Sequence, residues 1–239
     1  MGGGRRVIVS YSQVQCFKQC KFKYYLRYIE KLTVNKELTA DNPLLLGSMV
    51  HKIIEDGGNP STAVGEYRRN WLCTSNEVER EIFKATEALK TLPVEFYDGK
   101  HEKRVRTNKL LGYIDHISSD GTISDFKYTA RFNPNYHDGL QLSLYAEALD
   151  SKDSKLQYVI VPKCLLRLKQ YEDEEELRLR IKSWYDSHPV EVHEVPYQTE
   201  GVNEFWKTVE QLENFNGDWD EKSPSRLCDW CDYNKICLK

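Results

Sequence analysis

The stretch Leu110–Tyr128 reads LLGYIDHISSDGTISDFKY, and its two halves sit on either side of Asp120-Gly121. Leu110–Ser118 and Thr122–Tyr128 both alternate and are rich in β-branched and aromatic residues, the pattern of half-buried strands. Asp-Gly between two such runs is a strong hairpin signal. Residues of like parity share a strand face, so Asp125 and Lys127 point to the same side. Register decides whether Asp115 joins them. A two-residue loop at Asp120-Gly121 pairs Asp115 with Phe126 and sets the two acids on opposite faces. A three-residue loop, Ser119-Asp120-Gly121 with Gly121 left-handed, pairs Asp115 with Asp125 instead. Directly opposed side chains then stand about 5 Å apart at Cβ. Two carboxylates that close repel unless a cation lies between them. A hard divalent ion such as Mg²⁺ or Mn²⁺ meets that need, with the Phe126 carbonyl as a further oxygen ligand.

Working outward, the upstream half reads as helical. Ser10 or Ser12 is an N-cap for a helix expected to run to about Leu32, with Phe17, Cys20, Tyr24 and Tyr28 at helical spacing. Asn42-Pro43 opens a second helix, to about Asp56, by cap and first-turn proline. Its apolar stripe is Leu46, Met49, Val50 and Ile53, which leaves His51 and Glu55 on the other side, four residues apart. Asn59-Pro60 and Ser75 start two more helices, ending near Trp71 and Lys90, and His101–Thr107 is a strand. Downstream, 138–149 is helical and Leu156–Pro162 reads as a buried strand. That strand–helix–strand order implies a right-handed parallel crossover. On the crossover helix, Gln141 and Tyr145 again lie four apart. A strand near Leu165–Gln170, a charged helix over Glu174–Asp186, a strand at Val190–Glu194 and a helix near Val202–Asn214 follow. The expectation is one α/β domain spanning 1–239. It has a helical part over 10–92, an α/β core over 100–200, and a cysteine-rich tail over 201–239 that closes onto the first helix.

Composition fits that class. Of the 239 residues, 40% are apolar and 30% charged, ordinary for a globular protein. No apolar run approaches the roughly 20 residues of a membrane span. The opening Met-Gly-Gly-Gly-Arg-Arg lacks the apolar core of an export signal, so a soluble cytoplasmic protein is expected. The net charge of −3 conceals segregation. Residues 1–36 hold eight Lys/Arg against the single acid Glu30, and residues 98–109 hold five against two. The run Glu172-Asp173-Glu174-Glu175-Glu176 restores the balance. Such segregation suits an anionic ligand held on one face. On the first helix, Lys18, Lys21, Lys23 and Arg27 alternate with Phe22, Tyr25 and Tyr28. That mix pairs phosphate contacts with base stacking, as in single-strand binders.

Seven cysteines without an export signal favour metal binding over disulfides. Cys228-x₂-Cys231-x₅-Cys237 supplies three thiolates, the density of a zinc or iron–sulfur site. Cys16 and Cys20, one helical turn apart, are the candidates for a fourth. Cys73 and Cys164 are expected to pack. A link from the first helix to the tail closes a loop of roughly 200 residues, worth roughly 5 kcal/mol of chain entropy.

Five short patterns then occur in one order: Gly47-x₃-His51, Gly112-Tyr113-Ile114-Asp115, Asp125-Phe126-Lys127, Gln141-x₃-Tyr145 and the cysteine set. Together with Ser10-Tyr11-Ser12 and Cys20-x₂-Lys23-Tyr24-Tyr25, they resemble the RecB-like branch of the PD-(D/E)XK nucleases. The likeness spans Ser10 to Cys237 and implies a restriction-endonuclease-like α/β core, a mixed central sheet flanked by helices. By resemblance, His51, Asp115, Asp125 and the Phe126 carbonyl hold Mg²⁺ or Mn²⁺. Lys127 acts at the scissile phosphate, and Gln141 and Tyr145 orient the site. Cys20 joins Cys228, Cys231 and Cys237 around a [4Fe–4S] cluster, with zinc and Cys16 the alternatives. In that branch the early cysteine is often followed by proline, where this chain has Lys21. No Gly-x₄-Gly-Lys-Ser/Thr occurs, since Gly99-Lys100 precedes His101, so no motor accompanies the nuclease. The resemblance is to stand-alone CRISPR-associated iron–sulfur exonucleases and their phage relatives. It implies single-stranded DNA or DNA ends as substrate and 5′→3′ polarity.

Overall fold

The computed structural model describes residues 7–34, 38–71, 73–133 and 138–237. Chain contacts divide it into two compact units. One comprises residues 38–103 and 113–197; the other gathers 1–37, 104–112 and 198–239.

The first unit is built on the hairpin. Strands β1 (Lys100–Arg106), β2 (Leu111–Ile117), β3 (Ile123–Thr129), β4 (Leu156–Pro162) and β5 (Glu191–Val195) form one mixed sheet in sequence order. β2 and β3 are antiparallel, β3 and β4 parallel, β4 and β5 antiparallel. The hairpin takes the three-residue loop: His116 pairs with Ser124 and Ile117 with Ile123. Ser118 N–H donates to the Thr122 carbonyl, and Gly121 is left-handed at φ 85°. That register sets Asp115 opposite Asp125, on one face.

The other face of the sheet carries the core. Phe126, Val159 and Val161 pack against α3 (Pro43–Glu55), α4 (Ser61–Arg68), α5 (Asn76–Leu89) and α7 (Glu174–Asp186). Asn42 caps α3 by accepting from Leu44 and Leu45 N–H, with Pro43 in the first turn. Leu46, Met49, Val50, Ile53 and Ile54 are buried, so the expected stripe faces inward. The crossover helix α6 (Leu140–Ala148) joins β3 to β4 and packs on both. Its own buried residues stand outside that core cluster, on the face of Asp125 and Lys127. Gly139 starts α6 at φ 89°, and a Cβ there would meet Val195 Cγ2 at 2.8 Å.

The second unit holds α1 (Tyr11–Gln19), α2 (Lys21–Tyr24) with a π turn over Tyr25–Ile29, α8 (Thr199–Glu213) and α9 (Asn234–Cys237). Ser10 and Gln13 form a capping box at α1. Val9 lies parallel beside Leu110 in an isolated bridge. Among the described residues no helix is long and apolar enough to cross a membrane.

Three expectations change. The single first helix breaks at Cys20, which is extended (φ −165°, ψ 116°). Helix propensity does not demand that break; the main-chain bond from Phe22 N–H to the Glu221 carbonyl accompanies it. Residues 165–170 form no strand. Beyond Leu166 the segment is exposed on every side chain through Gln170, so no face is buried to hold it against the sheet. Cys73 is exposed and does not pack, whereas Cys164 is fully buried.

Gly121→Ala and Gly139→Ala separate backbone cost from collision. At Gly121 the nearest atom to a Cβ is Ser154 Oγ, 3.9 Å away. The expected loss there is the left-handed penalty alone, about 1–2 kcal/mol. Gly139→Ala adds a clash with Val195 and is expected to lose more, both read as urea midpoints.

Candidate active site

The first unit brings the predicted residues together from four elements. α3 supplies His51, β2 Asp115, β3 Asp125 and Lys127, and α6 Gln141 and Tyr145. Side chains bond both peptide groups of Phe126. Its N–H donates to Asp115 Oδ2 at 2.8 Å, and its carbonyl lies 3.0 Å from His51 Nε2. The His51 ring meets the Phe126 ring edge-on at 6.1 Å. The apolar residue of Asp-Phe-Lys thus anchors the strand in the core, while its main chain fixes two of the polar neighbours.

The electrostatics follow from burial. Desolvation lowers the His51 pKa, and the Asp125 carboxylate only partly opposes it, so the imidazole is neutral near pH 7. If its Nε2 proton goes to the Phe126 carbonyl, Nδ1 carries the lone pair. That nitrogen faces Asp115 Oδ2 at 3.6 Å. Asp115 is itself raised far above the carboxylate range, first by burial and then by the charge of Asp125. Burial alone would lower Lys127, but Asp125 and Asp115 outweigh it, and Lys127 remains an ammonium. Its Nζ lies 2.5 Å from Asp125 Oδ2. That oxygen is buried, so Lys127 is its charge partner within the site. Gln141 donates from Nε2 to the Tyr145 hydroxyl at 3.2 Å. Burial, then the nearby Asp125 charge, keeps that phenol protonated.

These donors suit a divalent cation: a neutral imidazole and a crowded pair of carboxylates. One member escaped sequence reasoning. Glu102 on β1 offers an oxygen that lies, with donor atoms of His51 and Asp115, in a group spanning no more than 4.8 Å. Nothing in the alternation of β1 marks it. Its signal is a left-handed backbone, φ 46°, which no motif encodes.

The cysteines lie in the second unit. Cys20, Cys228, Cys231 and Cys237 line one cavity of about 170 Å³, with Phe22 and Leu26 on its wall. Ser225 caps the turn Arg226–Trp230, and its own N–H donates to Cys228 Sγ at 3.4 Å. Cys16 is buried, and desolvation raises its thiol pKa, opposed by Lys23 and Arg27. The basic helix is largely engaged within this unit. Lys18 pairs with Glu204 and Lys21 with Glu221, each at 2.6 Å, while Tyr24 and Tyr25 stack on Trp219.

Comparison with known proteins agrees with this geometry. The family model of the PD-(D/E)XK nuclease superfamily matches residues 8–238. No curated protein matches the chain. Among solved structures, a Eubacterium rectale protein provisionally named an exonuclease is similar in fold, with a TM-score of 0.58 at 16% identity. The match covers 96% of this chain and 88% of that one.

Asp115 provides a test that needs no substrate. Its folded pKa is raised, so between the unfolded and folded values the native state holds a proton that the unfolded state has released. Asp115 by itself therefore makes metal-free stability fall as pH rises above about 4, against the opposite trend of acids whose pKa is lowered, such as Glu79 and Glu174. Asp115→Asn should remove that contribution, and Mn²⁺ should raise the wild-type melting temperature most at the alkaline end. Wild type that loses no stability relative to Asp115→Asn as pH rises from about 4 to 8 without metal would contradict this arrangement.

Proposed function

Because the chain belongs to the PD-(D/E)XK nuclease superfamily, we propose that it hydrolyses phosphodiester bonds of DNA as a metal-dependent exonuclease, on single strands or ends. The observation that carries this is the convergence of His51, Asp115, Asp125 and Lys127, with Asp115 beside the His51 ring and Lys127 paired to Asp125.

His51, Asp115, Asp125 and the Phe126 carbonyl would hold the divalent ion. When bound, the ion lowers the pKa of a water and polarises the phosphate. The chain does the rest. Asp115 and Asp125, opposed across the hairpin, cannot both be charged cheaply until a cation arrives, so binding and deprotonation are coupled. Lys127 is held charged by Asp125 and places an ammonium where a phosphate oxygen gains charge. Tyr145 and Gln141 flank that position with a protonated hydroxyl and an amide, both able to donate to a phosphodiester.

The decisive assay follows end-labelled linear single-stranded DNA with Mn²⁺ or Mg²⁺, against EDTA, for wild type beside Asp125→Ala. Metal-dependent degradation by wild type is expected, with Asp125→Ala and Lys127→Ala each slower by roughly a hundredfold or more. Covalently closed circular single strands should stay intact, and the fate of a 5′ label assigns the polarity. Cutting of the circle would make the enzyme an endonuclease. DNA binding without cleavage by any metal would make the chain a binding module.

For the cysteine cavity the proposal is a structural [4Fe–4S] cluster on Cys20, Cys228, Cys231 and Cys237. Two features support it. The four line a single cavity that Cys16 does not line. The N–H to sulfur bond at Cys228 is of the kind that tunes such clusters. Anaerobically purified protein is expected to be brown with about four irons per chain, and Cys20→Ser to lose colour while Cys16→Ser keeps it. Colourless protein loaded with one zinc would replace the cluster by a zinc site.

A further inference from the structure

Glu102 has no role in the site as proposed above, nor in any motif of the chain. It sits on β1, a strand whose other polar residues Lys100, Lys103, Arg104 and Arg106 are exposed cations. Regular alternation along β1 would turn His101, Lys103 and Val105 to one side and Glu102 to the other. The burial departs from that: His101 is half-buried and Val105 buried, but Lys103 is exposed. The departure coincides with the left-handed backbone at Glu102. The kink redirects a carboxylate, and its oxygen ends within the same 4.8 Å as donor atoms of His51 and Asp115. Among the described residues the Glu102 carboxylate makes no hydrogen bond and no ion pair. Its negative charge acts on both neighbours, raising His51 and Asp115.

The Glu102 side chain is exposed, while its neighbours His51 and Asp115 are half-buried. It adds a third carboxylate to Asp115 and Asp125, and Lys127 is already paired with Asp125. Nitrogen and oxygen donors thus converge on one place from α3, β1 and β2, with the ion pair of β3 beside them.

We propose that Glu102 is a direct ligand of a divalent cation, completing a His51–Glu102–Asp115 site beside Asp125. This rests on the metal-dependent reading above and extends it, because it adds an anionic ligand on the edge strand of the sheet. The site then offers an imidazole and three carboxylates. Asp115 is grouped with Glu102 and His51 and stands opposite Asp125 across the hairpin. That arrangement can hold a second ion when substrate phosphate supplies further oxygens.

The test is calorimetric titration of Mn²⁺ into full-length protein purified with its cysteine site loaded and no DNA present. Wild type is compared with Glu102→Gln, Glu102→Asp and Asp115→Asn. Far-UV circular dichroism and metal-free melting confirm that each variant folds. Glu102→Gln, the same shape without the charge, is expected to weaken Mn²⁺ by roughly tenfold to a hundredfold, the range that even an outer-shell partner commands. Glu102→Asp should recover part of it. Wild-type affinity in Glu102→Gln, alongside loss in Asp115→Asn, would remove Glu102 from the site and leave the nuclease reading standing. Wild type that binds no Mn²⁺ would overturn both.

Discussion

Two carboxylates held on one face of a buried hairpin set the terms for everything around them. Asp115 and Asp125 are opposed because three residues, not two, close the turn, and the turn closes that way because Gly121 accepts a left-handed backbone. A slip of one residue would send Asp115 to the core face and His116 to the site. In the observed register His116 is buried instead, its ring against Phe96 and Phe126 and its Nε2 on the Asp98 carbonyl. The repulsion this creates is answered only in part by Lys127. Burial, and then the charge of Asp125, raises Asp115, while burial keeps His51 neutral. An environment that holds ligands in that condition is poised to take up a cation and to release a proton as it does.

The fold protects the arrangement by dividing labour between residue neighbours on one strand. Phe126 is buried among α3, α5 and β4 residues, which locks β3 in height and rotation. Asp125 and Lys127, on either side of it, inherit that rigidity while facing the other way. The same Phe126 lends its N–H to Asp115 and its carbonyl to His51, so the core and the site share one peptide unit. Rigid placement of this kind is what allows electrostatic stabilisation to act without reorganisation during a reaction.

The second unit solves a different problem: its parts come from the two ends of the chain and one short internal segment. Ordinary packing contributes, with Phe17, Tyr24, Phe215 and Trp219 forming one aromatic group. Ion pairs Lys18–Glu204, Lys21–Glu221 and Lys109–Glu213 join the same segments, each more than a hundred residues apart in sequence. Exposed pairs contribute little individually. Four cysteines around one cavity offer a stronger tie, since any group bound to all of them would close the longest loop in the chain.

Local chemistry made much of this legible in the sequence. Asn42-Pro43 and Ser75 gave their helix starts because capping is a matter of a few neighbouring atoms. Leu156–Pro162 was readable end to end because a strand buried on both faces is a continuous apolar run. His51, Asp115, Asp125, Lys127, Gln141 and Tyr145 were named through the resemblance to a nuclease family, whose short motifs each lie within one element. What the sequence left open was decided by partners far along the chain. The hairpin register needed the whole turn, the break at Cys20 accompanies a main-chain bond to residue 221, and the absent strand at 165–170 reflects a segment with no buried face. Glu102 was invisible for the same reason. Its place beside His51 and Asp115 is set by one backbone dihedral and by strands that meet only after folding.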